Sequence, residues 1–551
     1  MQMLPWLLKS QGAAMRMGQG DMFRRRASRL VSRFGADQRG GTAVTLAISL
    51  AVLAPVSLGV LDVYVTSQQK GKLQDALDSA TLAAARSPAQ TDAEIDQIGD
   101  AALAANLALI PGAELIGSTF DLEGNKVISY ANVRLPKIGP TPGDGVLRVD
   151  SEAQRAGQIE VALVLDNTGS MAGTKLTNLK NAANSLVDKL VDASRRSTNS
   201  DPLRISLVPF SSTVRILPTT SLLNPAYNTA SHSGSNIPSW IDPQGLAHRT
   251  SGSTYDIFDN QSDRLAIMKT WGGSWSGCIE SRRAPFDIRE DAPNASVPAS
   301  MFVPYFWPDE PDNGSAASNQ INDYLKDNTT NSDWRVKEKR SAKYQKIQSE
   351  NLGWKNTGTF MSGYSFGPNA GCGLQPMIRL TNDYASVKTA INAMTAVGET
   401  NIPLGLMWGW HTLSPNMPLA NGKAYETKDL RKIIILMTDG DNTFTTRGEN
   451  NKSFYHGFGY IWQEMLGIGA GASNTQRTTA LNNRLSQLCT NIKNKKIIVY
   501  TVRVEVTTGS STLLQNCASS PDKFYDVQNA SGLGAAFDQI AASIQNLRIS
   551  K

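Results

Sequence analysis

Apolar and polar positions recur along this chain in blocks of different period. From Gly40 to Leu61 no residue is charged, a run of 22 positions. Coiled as a helix, that run reaches ~33 Å, enough to cross a hydrocarbon core of ~30 Å. Leu73, Leu77, Ala80 and Ala84 carry the helical spacing onward as a stripe of small apolar residues, and Ser87-Pro88 predicts its end. A second Ala-rich helix is predicted from Asp92 to Leu109, stopping before Pro111-Gly112. From about Glu114 to Asp150 the period falls to two. Lys126–Leu135 alternates, Asp121–Asn125 reads as a turn and Gly139–Gly145 as a Gly/Pro loop, which predicts a small β-rich unit.

From Gln158 onward, short aliphatic runs alternate with amphipathic stretches. Buried strands are predicted over 161–165, 204–210, 432–437, 497–504 and 524–527, with a short antiparallel neighbour near 213–217. Helices are predicted over 174–193, 383–394, 403–413, 476–493 and 533–547. This alternation predicts an α/β fold, a doubly wound and mostly parallel sheet with helices on both faces. Between 218 and 376 the rhythm breaks into Ser-, Asn-, Gly- and Pro-rich sequence. That stretch holds six of the ten tryptophans, Trp240, Trp271, Trp275, Trp307, Trp334 and Trp354. A structureless loop of this length does not fit a compact domain, so it reads as a loop-rich insertion whose aromatics serve packing. The expected division is a basic segment (1–39), a membrane helix (40–61), a helical stalk (62–110), a β-rich connector (111–157) and the α/β domain (158–551), interrupted by 218–376.

Charge adds orientation. The whole chain carries a net +6, and residues 1–39 account for all of it, with eight basic residues against Asp21 and Asp37. The remainder is neutral and offers no basic face for nucleic acid. Lys and Arg lie on the N-terminal side of the apolar run, and none follows until Lys70. The positive-inside rule places the N-terminus in the cytoplasm and residues 62–551 outside. The long basic leader favours an uncleaved anchor over a removed signal. All four cysteines, Cys278, Cys372, Cys489 and Cys517, lie beyond the anchor, which suits disulfides in an exported region. Of three possible pairings, Cys278–Cys372 with Cys489–Cys517 keeps each pair within one segment.

The chemistry gathers at predicted strand ends. Val161–Leu165 runs into Asp166, with hydroxyls at Thr168 and Ser170; Lys432–Met437 runs into Thr438-Asp439-Gly440; and the loop before the 403–413 helix supplies Thr400. In open α/β sheets, ligands sit beyond the carboxyl ends of the strands. Two carboxylates and three hydroxyls form an all-oxygen set suited to Mg²⁺ or Mn²⁺, ahead of Ca²⁺. Such an ion stays coordinatively unsaturated, and a carboxylate from another protein can complete its shell. Signals for catalysis are poor. Gly363-Tyr-Ser-Phe-Gly367 fits a nucleophile-elbow pattern, but Pro368, Asn369 and Gly371 follow where a helix is required. The four histidines are scattered and no P-loop or GxGxxG is present, so the expectation is a binding protein and not an enzyme.

Two family resemblances follow from these residues. D-N-T-G-S at 166–170, G-E-T-N-I at 398–402 and T-D-G at 438–440 resemble the metal-ion-dependent adhesion site of von Willebrand factor A (vWA) domains. Thr168 stands where that pattern has Ser. R-G-G-T-A-V-T-L-A at 39–47, L-Q-D-A-L-D-S-A-T-L-A-A-A at 73–85 and W-G-G-S-W-S-G-C-I-E at 271–280 are similar to TadG-like proteins of Tad (Flp) pilus assembly. Gly41 is followed by Thr45 and Leu46, without the Glu used by prepilin peptidase. The resemblance implies a single-pass protein of the bacterial inner membrane with its bulk in the periplasm, and pilus-assembly or pilin-like proteins as partners. The alternative is a surface adhesin or receptor that uses the same metal site without a pilus machine.

Overall fold

The computed structural model describes residues 41–549 except 137–144, 217–237, 249–255, 260–261, 271–274, 313–321, 345–358, 362–363, 506–510 and the single positions 88, 90, 125, 156, 196, 198 and 328. The basic segment 1–39, Trp271 and Trp354 lie outside the described residues. Contacts divide the chain into two compact units, one chiefly of residues 41–84, 92–121 and 127–152, the other chiefly of residues from 153 onward.

The first unit begins with α1 (Gly41–Arg86), a helix of 46 residues with Pro55 inside it. Its first half exposes Leu46, Ile48, Leu50, Leu53 and Val60. It is long and apolar enough to cross a membrane. In its second half Leu73, Leu77, Ala80 and Ala84 are buried. That unit also contains α2 (Asp92–Leu107) and a sheet of three strands in order, β1 (Glu114–Glu123), β2 (Lys126–Arg134) and β3 (Val146–Gln154). The small stripe lets α1 approach the sheet: Thr81 Oγ1 lies 2.6 Å from Ser129 Oγ of β2. Gly99 plays the same part on α2, since a Cβ there would lie 2.4 Å from the Phe120 ring.

The second unit is built on β4 (Gln158–Asp166), flanked by β5 (Leu203–Phe210) and a later strand, β9 (Leu430–Thr438). Short strands β6 (Val214–Arg215) and β7 (Cys278–Ile279) extend the β5 edge, and β8 (Ile378–Thr381) also pairs with β5. Beyond β9 lie β10 (Ile498–Val504) and β11 (Phe524–Val527). The order is β11-β10-β9-β4-β5-β6-β7, with β8 also on β5. From β11 to β5 all pairs are parallel, whereas β6, β7 and β8 pair antiparallel. The sheet is therefore mixed, with its parallel part at the centre.

Alternation along β4 assigns its two faces. Ile159, Val161, Leu163 and Leu165 share a core with α3 (Thr174–Ser194), α4 (Tyr384–Ala393) and α7 (Leu533–Ile549). Ala162 and Val164 share the other core with α5 (Ile402–Leu413) and α6 (Asn474–Asn494). Every residue of α5 is buried, as expected of a helix apolar all round. It lies close to the strands: a Cβ at Gly405 would sit 2.4 Å from the Phe210 ring, and one at Gly409 2.4 Å from Val164 Cγ2. Gly405→Ala should therefore overpack this layer and cost ~1–3 kcal/mol. The check is a lower urea midpoint at unchanged slope; an unmoved midpoint would show that α5 can slide away from β5.

Residues of the insertion belong to the same core as α5. Trp240, Trp275, Phe302, Tyr305, Trp307, Tyr324 and Tyr344 are buried with Val208 and Phe210 of β5. Cys278 is bonded to Cys372, closing a separation of 94 residues, and Cys489 to Cys517, closing 28.

Carboxyl groups are buried here too. Asp309 pairs with Lys343 at 2.7 Å, Glu310 accepts from Tyr460 Oη at 2.7 Å and Glu338 accepts from Asn451 Nδ2 at 2.6 Å. Burial pushes Glu310 up to about 7, and burial together with the nearby Glu310 charge pushes Glu338 up to about 8. An acid whose folded pKa lies above its unfolded value holds its proton in the native state. Its stabilisation is present at low pH and lost as pH rises toward that folded value. Thermal stability should therefore fall from pH 5 to pH 9. Glu338→Gln should flatten that slope; an unchanged slope would mean that Glu338 does not titrate in this range.

Candidate metal centre

Parallel pairing sets the site. β4 and β9 keep register from Leu430 opposite Gln158 to Met437 opposite Leu165, so Asp166 and Thr438-Asp439 emerge side by side. Asp166 Oδ1 accepts from the Thr168 amide at 2.8 Å and from Thr168 Oγ1 at 2.6 Å. Its Oδ2 accepts from Thr438 Oγ1 at 2.6 Å. Thr168 Oγ1 lies 3.0 Å from Ser170 Oγ, which donates to Asp439 Oδ1 at 2.7 Å. Thr168 thus donates to Asp166 and Ser170 to Asp439, and the 3.0 Å contact between the two hydroxyl oxygens gathers four of the five residues expected from the sequence into one cluster.

Thr400 is placed differently. Its loop is held against the turn after β4, with Val397 N donating to Asn167 O at 2.8 Å and Gly169 N donating to Gly398 O at 3.0 Å. Gly398 is left-handed, with φ +81°, and a Cβ there would lie 3.0 Å from Tyr364 Oη. Asn401 then caps α5 by accepting from Leu404 N. Thr400 is buried, and its backbone exchanges bonds with Thr443, N to Oγ1 at 2.7 Å and O from N at 2.9 Å. Among the described hydrogen bonds, none ties the Thr400 hydroxyl to Asp166 or Asp439.

The electrostatics are unbalanced. Both aspartates are buried. Burial first, and then the neighbouring Asp439 charge, push Asp166 up to about 6, against the hydrogen bonds from Thr168 and Thr438. Asp439 Oδ2 accepts from Lys175 Nζ at 2.7 Å. Among the described ion pairs, Asp166 has none. Two converging carboxylates with one nearby cation leave a deficit of positive charge. The donors are oxygens only, so the residues present fit a hard cation. Among the described residues, no group of three or more His, Cys, Asp or Glu assembles into a metal cage; any ion here rests on two carboxylates supplemented by hydroxyls. A cavity of about 430 Å³ opens at the opposite ends of these strands, lined by Gln158, Tyr425, Asp429 and Lys496 among others, and is remote from this chemistry.

Sequence reasoning did not pick out Lys175 or the role of Thr438. The signal for Lys175 was available: a lysine in the first turn of a helix opposes the helix dipole and needs a local anion.

No family model matches the chain, and no curated protein matches it. Among solved structures, it is similar to the pilus adhesin SpaC from Lactobacillus rhamnosus GG, at 12% identity over 80% of this chain and 35% of that one, TM-score 0.31. It is also similar to the vWF domain of the type V pili tip protein Mfa5 from Porphyromonas gingivalis, at 11% identity over 72% and 97%, TM-score 0.31. The adhesive tip pilin GBS104 from Group B Streptococcus agalactiae matches at 11% over 71% and 100%, TM-score 0.31. The chain spans about a third of the SpaC length. With scores this low, the likeness says nothing of what this chain binds.

Proposed function

We propose that this chain is a membrane-anchored, exported vWA protein of Tad/Flp-type pilus assembly. In this reading, the doubly wound domain holds a divalent cation, Mg²⁺ or Mn²⁺, and captures a carboxylate of a partner protein. Asp166, Thr168, Ser170 and Asp439 would hold the ion, with Thr400 contributing from the adjoining loop. A bound dication supplies an electrophilic docking point for an anionic side chain. The chain's own residues do the rest: β4 and β9 fix the two carboxylates, the Thr168 and Ser170 hydroxyls orient them, and the bonds between Thr443 and the Thr400 backbone pin the loop. The observation that carries the reading is a pair of buried aspartates, each accepting from a hydroxyl of the same turn, of which only Asp439 has an ion-pair partner among the described residues. The exposed apolar half of α1 and the two disulfides support a single-pass anchor with its bulk outside the cytoplasm. The basic N-terminal segment supports an inner-membrane orientation with that segment in the cytoplasm.

A photo-crosslinker placed at Thr400 in intact cells tests the docking role. A pilus-assembly or pilin-like adduct that disappears in Asp166→Ala is expected; equal labelling in both backgrounds would remove the metal from the interaction. Deleting the gene should abolish pili. Intact pili with impaired attachment would favour an adhesin that works outside pilus assembly.

A further inference from the structure

Lys175 is the second residue of α3, and the first turn of α3 contains no acidic residue. The N-terminus of a helix disfavours cations, so this lysine is held there by something else. Its Nζ donates to Asp439 Oδ2 at 2.7 Å and lies 3.6 Å from Glu505 Oε2. Ser170 takes the other oxygen of Asp439, so Lys175 occupies the one that Ser170 leaves open. Glu505 is itself fixed. It follows directly after β10 with φ +52°, its amide donates to Val527 O at 2.9 Å, and its Oε1 accepts from Ala530 N at 2.8 Å. That leaves Oε2 facing the lysine. One ammonium on a flexible four-carbon stem therefore stands between two anions, one in the candidate metal centre and one beside it.

We propose that Lys175 is a tethered counter-ion that competes with the divalent cation for Asp439, and that Glu505 receives its ammonium when the cation binds. The proposal rests on the reading of this site as a cation site. In the ion-free protein, Lys175 pairs with Asp439 and weakens the repulsion between the two aspartates without removing it. A dication at the same carboxylate repels the ammonium, which needs a second anion within reach of its tether. Glu505 meets that need without any backbone movement of α3. The chain thereby sets how much free cation is required before the docking site becomes competent, and Lys175 and Glu505 determine that threshold without being ligands themselves.

The test is a Mn²⁺ titration of the full chain in detergent micelles, followed by calorimetry and by thermal shift, on wild type, Lys175→Gln, Glu505→Gln and the double variant. Lys175→Gln should tighten Mn²⁺ binding at least tenfold. Glu505→Gln alone should weaken it severalfold, and in the Lys175→Gln background it should change affinity less than twofold, because its effect passes through the lysine. Wild-type binding that Lys175→Gln leaves unchanged or weaker would overturn the proposal and leave the cation site standing. A Glu505→Gln effect of equal size in both backgrounds would overturn the receiving role. If neither wild type nor Lys175→Gln binds Mn²⁺ while both melt cooperatively, the cation site and the proposal fall together. Should Lys175→Gln fold poorly, Lys175→Met removes the same charge with an unbranched apolar stem and carries the same expectations.

Discussion

Asp166→Ala is expected to abolish the rise in melting temperature that Mg²⁺ or Mn²⁺ gives the wild-type protein. A ligand that binds only the folded state stabilises it by ~2.7 kcal/mol at a hundredfold excess over its dissociation constant. That increment should vanish in the variant, because Asp166 is the buried carboxylate that Lys175 leaves uncompensated. The ion-free protein responds to two opposed effects. Removing the side chain strips acceptors from the Thr168 amide and from the Thr168 and Thr438 hydroxyls, and unsatisfied buried donors cost ~1–3 kcal/mol each. Against that, the repulsion with Asp439 disappears. Differential scanning fluorimetry with and without added metal separates the two, since only the metal-dependent increment reports on the site. An equal increment in variant and wild type would move the ion elsewhere.

Loss of the Cys278–Cys372 bond should be the largest single blow to stability. It closes a separation of 94 residues, for which the chain-entropy relation gives ~4–5 kcal/mol, against ~3–4 kcal/mol for the 28 residues between Cys489 and Cys517. Cys278 also forms part of β7, whose pairing with β6 extends the main sheet. The double variant Cys278→Ser/Cys372→Ser should therefore unfold at lower denaturant than Cys489→Ser/Cys517→Ser. Equal midpoints would mean that the reduced insertion stays compact through its aromatic core alone.

Much of this architecture is legible in the sequence for a simple reason. β4 and β9 are aliphatic runs buried on both faces, and each is followed by polar loop chemistry that begins at or just after an aspartate. Length and composition together then distinguish strand from helix. β8 is not legible. Ile378-Arg379-Leu380-Thr381 is too short to display a period, and it joins the sheet only by pairing with β5, more than 160 residues earlier. The aspartates and the serine and threonine of the site follow from strand ends and motif spacing. The Lys175–Asp439 contact spans 264 residues, so the lysine's place in a first helical turn points to an anion but not to which one. Thr400 is the converse case. Its motif places it beside the turn, but its loop's bonds go to Thr443 and Asn167, and side-chain convergence does not follow from loop adjacency. The insertion's aromatics were readable as packing by type, whereas their union with the α5 core depends on long-range contacts that composition does not encode.

The eight-position register between β4 and β9 has a mechanical meaning. Asp166 ends one strand and Asp439 directly follows the other, so the two carboxylates sit at the ends of neighbouring parallel strands. Drawing β4 lengthwise past β9 would load all the interstrand bonds from Gln158 to Leu165 together in shear, and none would open singly like a zipper. β5 and β10 buttress the pair on either side. A lengthwise pull at this edge of the sheet would therefore meet four parallel strands bonded side by side and not one.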